Sequence, residues 1–273
     1  MFNDCKLICS DVDGTLLNSE HKIPSRNSEA IRQAVQRGVS FALTSGRIKG
    51  ALTCLQEELG IGGPLICLNG AYIVDGDDIV FEQTISTEVA RAIVPVARQE
   101  GLQVFLYKGD HWYADVADDW SDYEHRVSTV LGIIEPFDQL LMRWEAKDEG
   151  FHKMLCMSND RQAVVRCERL LKERFSDTLT IYLSSPHYIE ILAKGIDKGV
   201  AVKKLASYLG VGVEQVMVVG DFYNDIPMLE TAGMSVVMAN APLPVQEYAD
   251  LITASNDEAG LGMAIEREIL GLA

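Results

Sequence analysis

The chain has 273 residues, 48% of them hydrophobic, which is enough apolar material for a sizeable core and, on length alone, for about two domains. Its 40 acidic residues against 24 basic ones leave a formal net charge of −16. Nucleic acid is met by a basic surface, so that class of partner is disfavoured, and an anionic ligand needs a local site that overrides the global charge. The six cysteines form no C-x-x-C pair, and the five histidines show no zinc-ligand spacing, so reduced, partly buried thiols are expected. Met1-Phe2-Asn3-Asp4-Cys5-Lys6 runs into a short apolar stretch without the basic and hydrophobic regions of a signal peptide. No apolar run reaches the roughly 18 residues of a membrane span. A cytoplasmic protein with no membrane partner is expected.

In chain order, Leu7-Ile8-Cys9-Ser10 is short and apolar and ends at an aspartate, the pattern of a buried strand. Ala30, Ile31, Ala34 and Val35 recur at helical spacing between residues 25 and 36, and Gly38 follows. Val39–Leu43 reads as a second buried strand, residues 50–59 as a helix closed by Gly60, and Pro64–Leu68 as a third strand. Strands alternating with helices predict a parallel α/β sheet. Residues 72–74 and 79–81 flank Asp75-Gly76-Asp77-Asp78, which predicts a hairpin. From about 83 to 188 the pattern changes to helices near 87–100, 117–130 and 160–174, with strands near 103–107, 111–115, 152–157 and 178–183. The α/β rhythm then returns with a strand at 189–192, a helix at 198–209, a strand at 216–219, a helix at 225–232, a strand at 235–238 and a last helix at about 257–270. The reading is one α/β domain, 1–82 and 189–273, interrupted by an α+β insert at 83–188.

Three motifs follow predicted strands of the α/β part, where open sheets of this kind place ligands. Asp11-Val12-Asp13-Gly14-Thr15 puts two carboxylates at i and i+2, so both leave the strand end on nearly the same side. A carboxylate can act as a nucleophile toward phosphorus, and a neighbouring acid can trade protons with the leaving oxygen and then with water. Taken alone the motif also fits a calcium-type turn or an Asx turn. Gly220-Asp221-Phe222-Tyr223-Asn224-Asp225 is a second acidic cluster, suited to Mg²⁺, and by itself it also fits an acidic helix cap. Thr44-Ser45-Gly46-Arg47 offers a hydroxyl and backbone amides for a phosphate, or an ordinary helix cap. Lys198-Gly199, at a helix start, supplies a compact positive charge, although a lone lysine there is usually solvated. Neither G-x-x-x-x-G-K-[ST] nor G-x-G-x-x-G occurs, which disfavours a nucleotide P-loop.

Jointly, in this order and each at a strand end, the motifs resemble the haloacid dehalogenase superfamily of phosphotransferases. Asn69-Gly70-Ala71, the run Gly220–Leu229, Asn240-Ala241 and Thr253–Asp257 bring the likeness closest to the Cof-type hydrolases, whose type IIB cap is inserted after the third core strand. The resemblance implies a Rossmann-like parallel-sheet core interrupted by an α+β cap. It implies a Mg²⁺-dependent phosphatase acting on a sugar phosphate or similar small monoester through an aspartyl-phosphate. Asp11 would be the nucleophile and a metal ligand. Asp13 would be the acid and base, with its carbonyl on the metal. Asp221 would complete the ligands, and Asp225 would support the metal directly or through water. Val12, Ser45, Gly46, Lys198 and Asn224 would bind the phosphate oxygens. An acid at position 13 favours phosphate esters over carbon–halogen or carbon–phosphorus bonds.

The insert is expected to close over the strand ends, which favours small substrates. Arg47, Asn69, Tyr107 and Trp112 are candidate substrate contacts; the aromatics on the predicted hairpin fit internal packing as well. Expected partners are a small phosphorylated metabolite, with no nucleic acid and no membrane, and the chain as a monomer or small homo-oligomer. A phosphomutase of the same superfamily, a non-catalytic metabolite sensor and a calcium-binding module are the rival readings. Transfer between hydroxyls would mark the first and binding without turnover the second. The third would need a twelve-residue calcium loop with a closing glutamate, which the sequence lacks.

Overall fold

The computed structural model describes residue 2 and residues 4–272. Among the described residues fourteen strands follow in chain order: β1 Leu7–Ser10, β2 Ser40–Thr44, β3 Pro64–Cys67, β4 Tyr72–Asp75, β5 Asp78–Glu82, β6 Gln103–Lys108, β7 His111–Ala114, β8 Ile133–Ile134, β9 Lys153–Met157, β10 Leu179–Ser185, β11 Tyr188–Ala193, β12 Val216–Gly220, β13 Met234–Val237 and β14 Leu251–Ile252. They make an eight-stranded sheet of order β14-β13-β12-β1-β2-β3-β4-β5 and a six-stranded sheet of order β10-β11-β9-β6-β7-β8. The chain divides into two compact units, one of residues 1–46, 52–81 and 197–273, the other of 47–51 and 82–196.

In the first unit β14, β13, β12, β1, β2 and β3 run parallel, and β3–β4 is antiparallel. β1 and β12 are fully buried along their length, which is why they are continuous apolar runs rather than alternating ones. One sheet face packs Leu7, Cys9, Val216 and Val218 against Ala201, Val202 and Leu205 of the helix Lys198–Tyr208. From β1 the chain winds outward through β2 and β3, then returns on the other side through β12, β13 and β14. β1 is therefore the point where the winding reverses, and the crevice at its carboxyl end is where such sheets bind ligands.

The second unit is mostly antiparallel and has its own core, with Val104, Leu106, Met154, Cys156, Ile189 and Ile191 of the sheet meeting helices Thr87–Gln99, Phe137–Glu145 and Arg161–Phe175. Several features differ from expectation. The helix Phe137–Glu145 and the short β8 fall where the sequence pattern placed nothing, although Phe137, Leu140, Leu141 and Trp144 are its buried face at helical spacing. β11 does not return the chain to the first sheet: Tyr188–Ala193 pairs with both β10 and β9. The boundary thus falls at Ile196/Asp197, not at 188/189, because a buried strand reads alike in either sheet and only its pairing tells them apart. Residues 47–51, expected in the core, group with the insert. The last helix is also shorter than 257–270: Gly260–Ile265 is α-helical and Glu266–Leu270 widens to a π-type turn.

Candidate active site

Each acidic motif lies at the carboxyl end of a parallel strand of the first unit. Asp11 follows β1, Ser45 follows β2, Asn69 lies two residues beyond β3, Asp221 follows β12 and Asn240 lies beyond β13. Asp11, Asp221 and Asp225 each present an oxygen within 4.8 Å of the others, and all three are buried. Lys198, 1% exposed, lies between them: its Nζ donates to Asp11 Oδ1 and to Asp225 Oδ1, both at 2.6 Å. The second oxygen of Asp225 accepts from the backbone N–H groups of Asp221 and Phe222, each at 2.9 Å. Asp225 thus spends both oxygens within the protein and braces the loop and the lysine. Asp13 is exposed beside this cluster.

Two residues to which the sequence reading gave no role aim Asp221. Thr15 donates its hydroxyl to Asp221 Oδ1 at 2.8 Å, and the Asn240 amide donates to the Gly14 carbonyl at 2.9 Å and to Asp221 Oδ2 at 3.4 Å. Thr15 stood inside the first motif, and Asn240 followed a strand; that position was the available signal. Gly14, at φ +82°, lets the two acidic loops touch: a Cβ there would lie 2.3 Å from Asp221 Oδ2.

The electrostatics follow from burial. Asp11 is pushed well above the usual carboxylate range by burial, only partly offset by Lys198, with Asp225, Asp221 and Asp13 adding repulsion. Asp221 rises to about 6 through burial and the charge of Asp225, against the hydroxyl of Thr15 and the charge of Lys198. Burial opposes the charge of Lys198, but Asp11 and Asp225 hold it above its ordinary value. Four carboxylates gathered around one ammonium leave an excess of negative charge that a hard divalent cation relieves. The donor set suits such a cation, with Asp11, Asp221 and Asp225 as the buried carboxylates that could hold it.

Of the remaining candidates in this unit, Val12 is fully buried and Ser45 is 2% exposed. Ser45 accepts at its carbonyl from the Asn69 N–H at 2.9 Å, Gly46 lies against the Asn69 side chain, and Asn224 donates to Asn69 Oδ1 at 3.2 Å. Arg47, Tyr107 and Trp112 belong to the second unit. Trp112 is buried edge-on against Phe105 with its indole N–H donating to the Val130 carbonyl at 3.0 Å. Tyr107 is buried with the Lys153 ammonium 4.6 Å from its ring centroid, and Lys153 pairs with Glu190 at 3.3 Å. Burial raises the Tyr107 hydroxyl well above its ordinary range, and the charge of Glu124 adds to it.

A doubly wound parallel sheet with a buried cluster of aspartates that could hold a metal ion at its reversal point is an α/β arrangement suited to phosphoryl chemistry. Comparison with known proteins makes this specific: residues 8–265 match the family of haloacid dehalogenase-like hydrolases, and the chain belongs to that family. It is similar to the 5-amino-6-(5-phospho-D-ribitylamino)uracil phosphatase YcsE of Bacillus subtilis, 32% identical over 98% of this chain and 97% of that one. Among solved structures, a haloacid dehalogenase-like hydrolase from Bacteroides thetaiotaomicron superposes with a TM-score of 0.85 at 32% identity, covering 96% and 99% of the two chains. The subclass IIB sugar phosphatase BT4131 superposes at 0.81 with 25% identity, covering 96% and 98%. The expectation of a Cof-type phosphatase with an α/β core and a IIB-type insert holds.

Proposed function

We propose that the protein is a Mg²⁺-dependent phosphatase of small polyhydroxylated phosphate monoesters, sugar phosphates or ribityl-type phosphates, working through a phosphoryl group carried on Asp11. The observation that bears most weight is Asp11 itself, buried at the reversal point of the sheet with Lys198 2.6 Å from one carboxylate oxygen and Asp221 beside it. The names of the relatives support the substrate class: one acts on a phosphoribityl compound and one on sugar phosphates.

In this reading Asp11 Oδ attacks phosphorus, the ester P–O bond breaks, and Asp13 gives its proton to the departing alkoxide. Asp13, now a carboxylate, takes a proton from water; the water oxygen attacks phosphorus, the P–O bond to Asp11 breaks, and inorganic phosphate leaves. Lys198, Ser45, the Gly46 and Val12 amides and Asn224 hold the phosphoryl oxygens in line, since phosphoryl transfer needs mainly positioning and charge neutralisation. Asp225 fixes Lys198 and the Asp221 loop. Bound Mg²⁺, held by Asp11, Asp221 and the Asp13 carbonyl, would supply positive charge to the transferring group and favour the ionised form of Asp11. The test is phosphate release from a panel of monoesters with and without Mg²⁺. Wild type should release phosphate only with the metal and prefer hydroxyl-rich leaving groups. Metal-independent release, or preference for leaving groups that lack hydroxyls, contradicts the proposal.

A further inference from the structure

The turn beyond β3 carries no charge and no nucleophile, yet three successive residues there take positive φ. Leu68, Asn69 and Gly70 take successive φ values of +53°, +55° and +100°. Left-handed backbone is costly for a leucine and is tolerated better by asparagine and best by glycine. Leu68 is fully buried and Asn69 2% exposed, so solvent offers no relief. Two contacts hold the turn. The Asn69 N–H donates to the Ser45 carbonyl, and Gly70 seats on the start of the helix that carries Lys198, where a Cβ would fall 2.6 Å from the Asp197 carbonyl oxygen and 2.8 Å from Ala201 Cβ. Strain that persists in this way clusters at working sites.

The strain delivers one group, the Asn69 carboxamide. Its Oδ1 accepts from Asn224 Nδ2 at 3.2 Å, and the same amide lies so close to Gly46 that a Cβ there would be 3.1 Å from Nδ2 and 3.3 Å from Oδ1. It therefore touches the turn after β2 and the loop after β12, the two segments on either side of the Asp11 loop. A carboxamide oxygen can only accept, so it pulls the NH₂ end of Asn224 toward itself and fixes which end of that amide is which. One N–H of Asn224 goes to Asn69, and the other stays as a donor. Without that acceptor the Asn224 amide can turn over and present its carbonyl to an anion.

We infer that Asn69 is a positioning residue for phosphate binding, setting the orientation of the Asn224 amide. The inference rests on the proposal that Asn224 and Ser45 bind phosphate. The test is a double-mutant cycle on the full chain with Mg²⁺, reading the apparent Kd of inorganic phosphate by phosphorus NMR titration. Asn69→Gly keeps the left-handed backbone and removes only the carboxamide, so it should still unfold cooperatively, its Tm lowered only by the lost buried contact. Asn69→Gly and Asn224→Ala should each weaken phosphate binding by about tenfold, and the double variant should be no weaker than Asn224→Ala within about twofold. Wild-type affinity in Asn69→Gly, losses that multiply to about a hundredfold, or loss of cooperative unfolding in Asn69→Gly each overturn the inference. If Asn224→Ala itself binds phosphate like wild type, the phosphate-site proposal falls and the positioning role falls with it.

Discussion

Lys198 sits among carboxylates it cannot fully neutralise, and this imbalance governs the behaviour of single residues in the site. Asp221 has a folded pKa raised from 3.8 to about 6. A raised acid binds more protons folded than unfolded, so its contribution to stability is fully present below pH 3.8 and is lost as pH rises through 6. At neutral pH the ionised, buried group therefore works against folding. Two outcomes follow for protein stripped with a chelator. This contribution should raise Tm as pH falls from 7 toward 5, and Mg²⁺ added at pH 7 should raise Tm because the ion binds only the folded cluster. Asp221→Asn should raise the chelated protein's Tm at pH 7 and abolish the Mg²⁺ response; differential scanning fluorimetry reads both. Removing Lys198 acts in the opposite sense: Lys198→Met leaves Asp11 and Asp225 buried without their cation and should cost about 3–5 kcal/mol, measured by urea unfolding. Asp11 and Asp221 were legible in the sequence because each follows an apolar run at a strand end, whereas Lys198 stood at a helix start, where a lone lysine is usually solvated. Thr15 and Asn240 were not assigned, since a hydroxyl and an amide in loops have no chemistry of their own until the fold points them at Asp221.

At the scale of elements, the site depends on loops that approach more closely than side chains allow. Gly14→Ala would place a methyl 2.3 Å from Asp221 Oδ2 at a backbone φ of +82°, so the two acidic loops must separate. The variant should lose at least 1 kcal/mol of stability and bind Mg²⁺ at least tenfold more weakly, as checked by urea unfolding and metal titration. In the second unit Trp112 closes the sheet against Gly132, where a Cβ would lie 2.2 Å from the indole. Trp112→Ala should cost about 3–5 kcal/mol by the same unfolding assay. The parallel strands and the helices between them were readable because burial on both faces writes itself as continuous apolar runs. The insert was harder. The nine residues of Phe137–Glu145 give a helix only two to three turns in which to show a period. Ile189–Leu192 looked like a core strand because registry with β9 and β10 is a non-local fact.

For the whole molecule, two units with separate apolar cores make a direct statement about folding. The core of the second unit draws its buried residues from 85–191 alone. A fragment of residues 82–196 should therefore fold by itself and unfold cooperatively in urea, even without 47–51. A fragment that stays unfolded would show that the insert needs the core. The formal net charge of −16 makes the positive charge at the site a local one, supplied by the buried Lys198. Among the described residues no helix is long and apolar enough to cross a membrane.

The most direct test of the central claim is mass spectrometry on enzyme quenched in acid during a single turnover of an aryl phosphate, whose leaving group needs no acid, using Asp13→Asn to slow release of the phosphoryl group. The account predicts that the peptide containing Asp11 gains the mass of one phosphoryl group, only when Mg²⁺ and substrate are both present, and that Asp11→Asn never does. Turnover with no phosphorylated Asp11 peptide at any time point, or label on another residue, would contradict it.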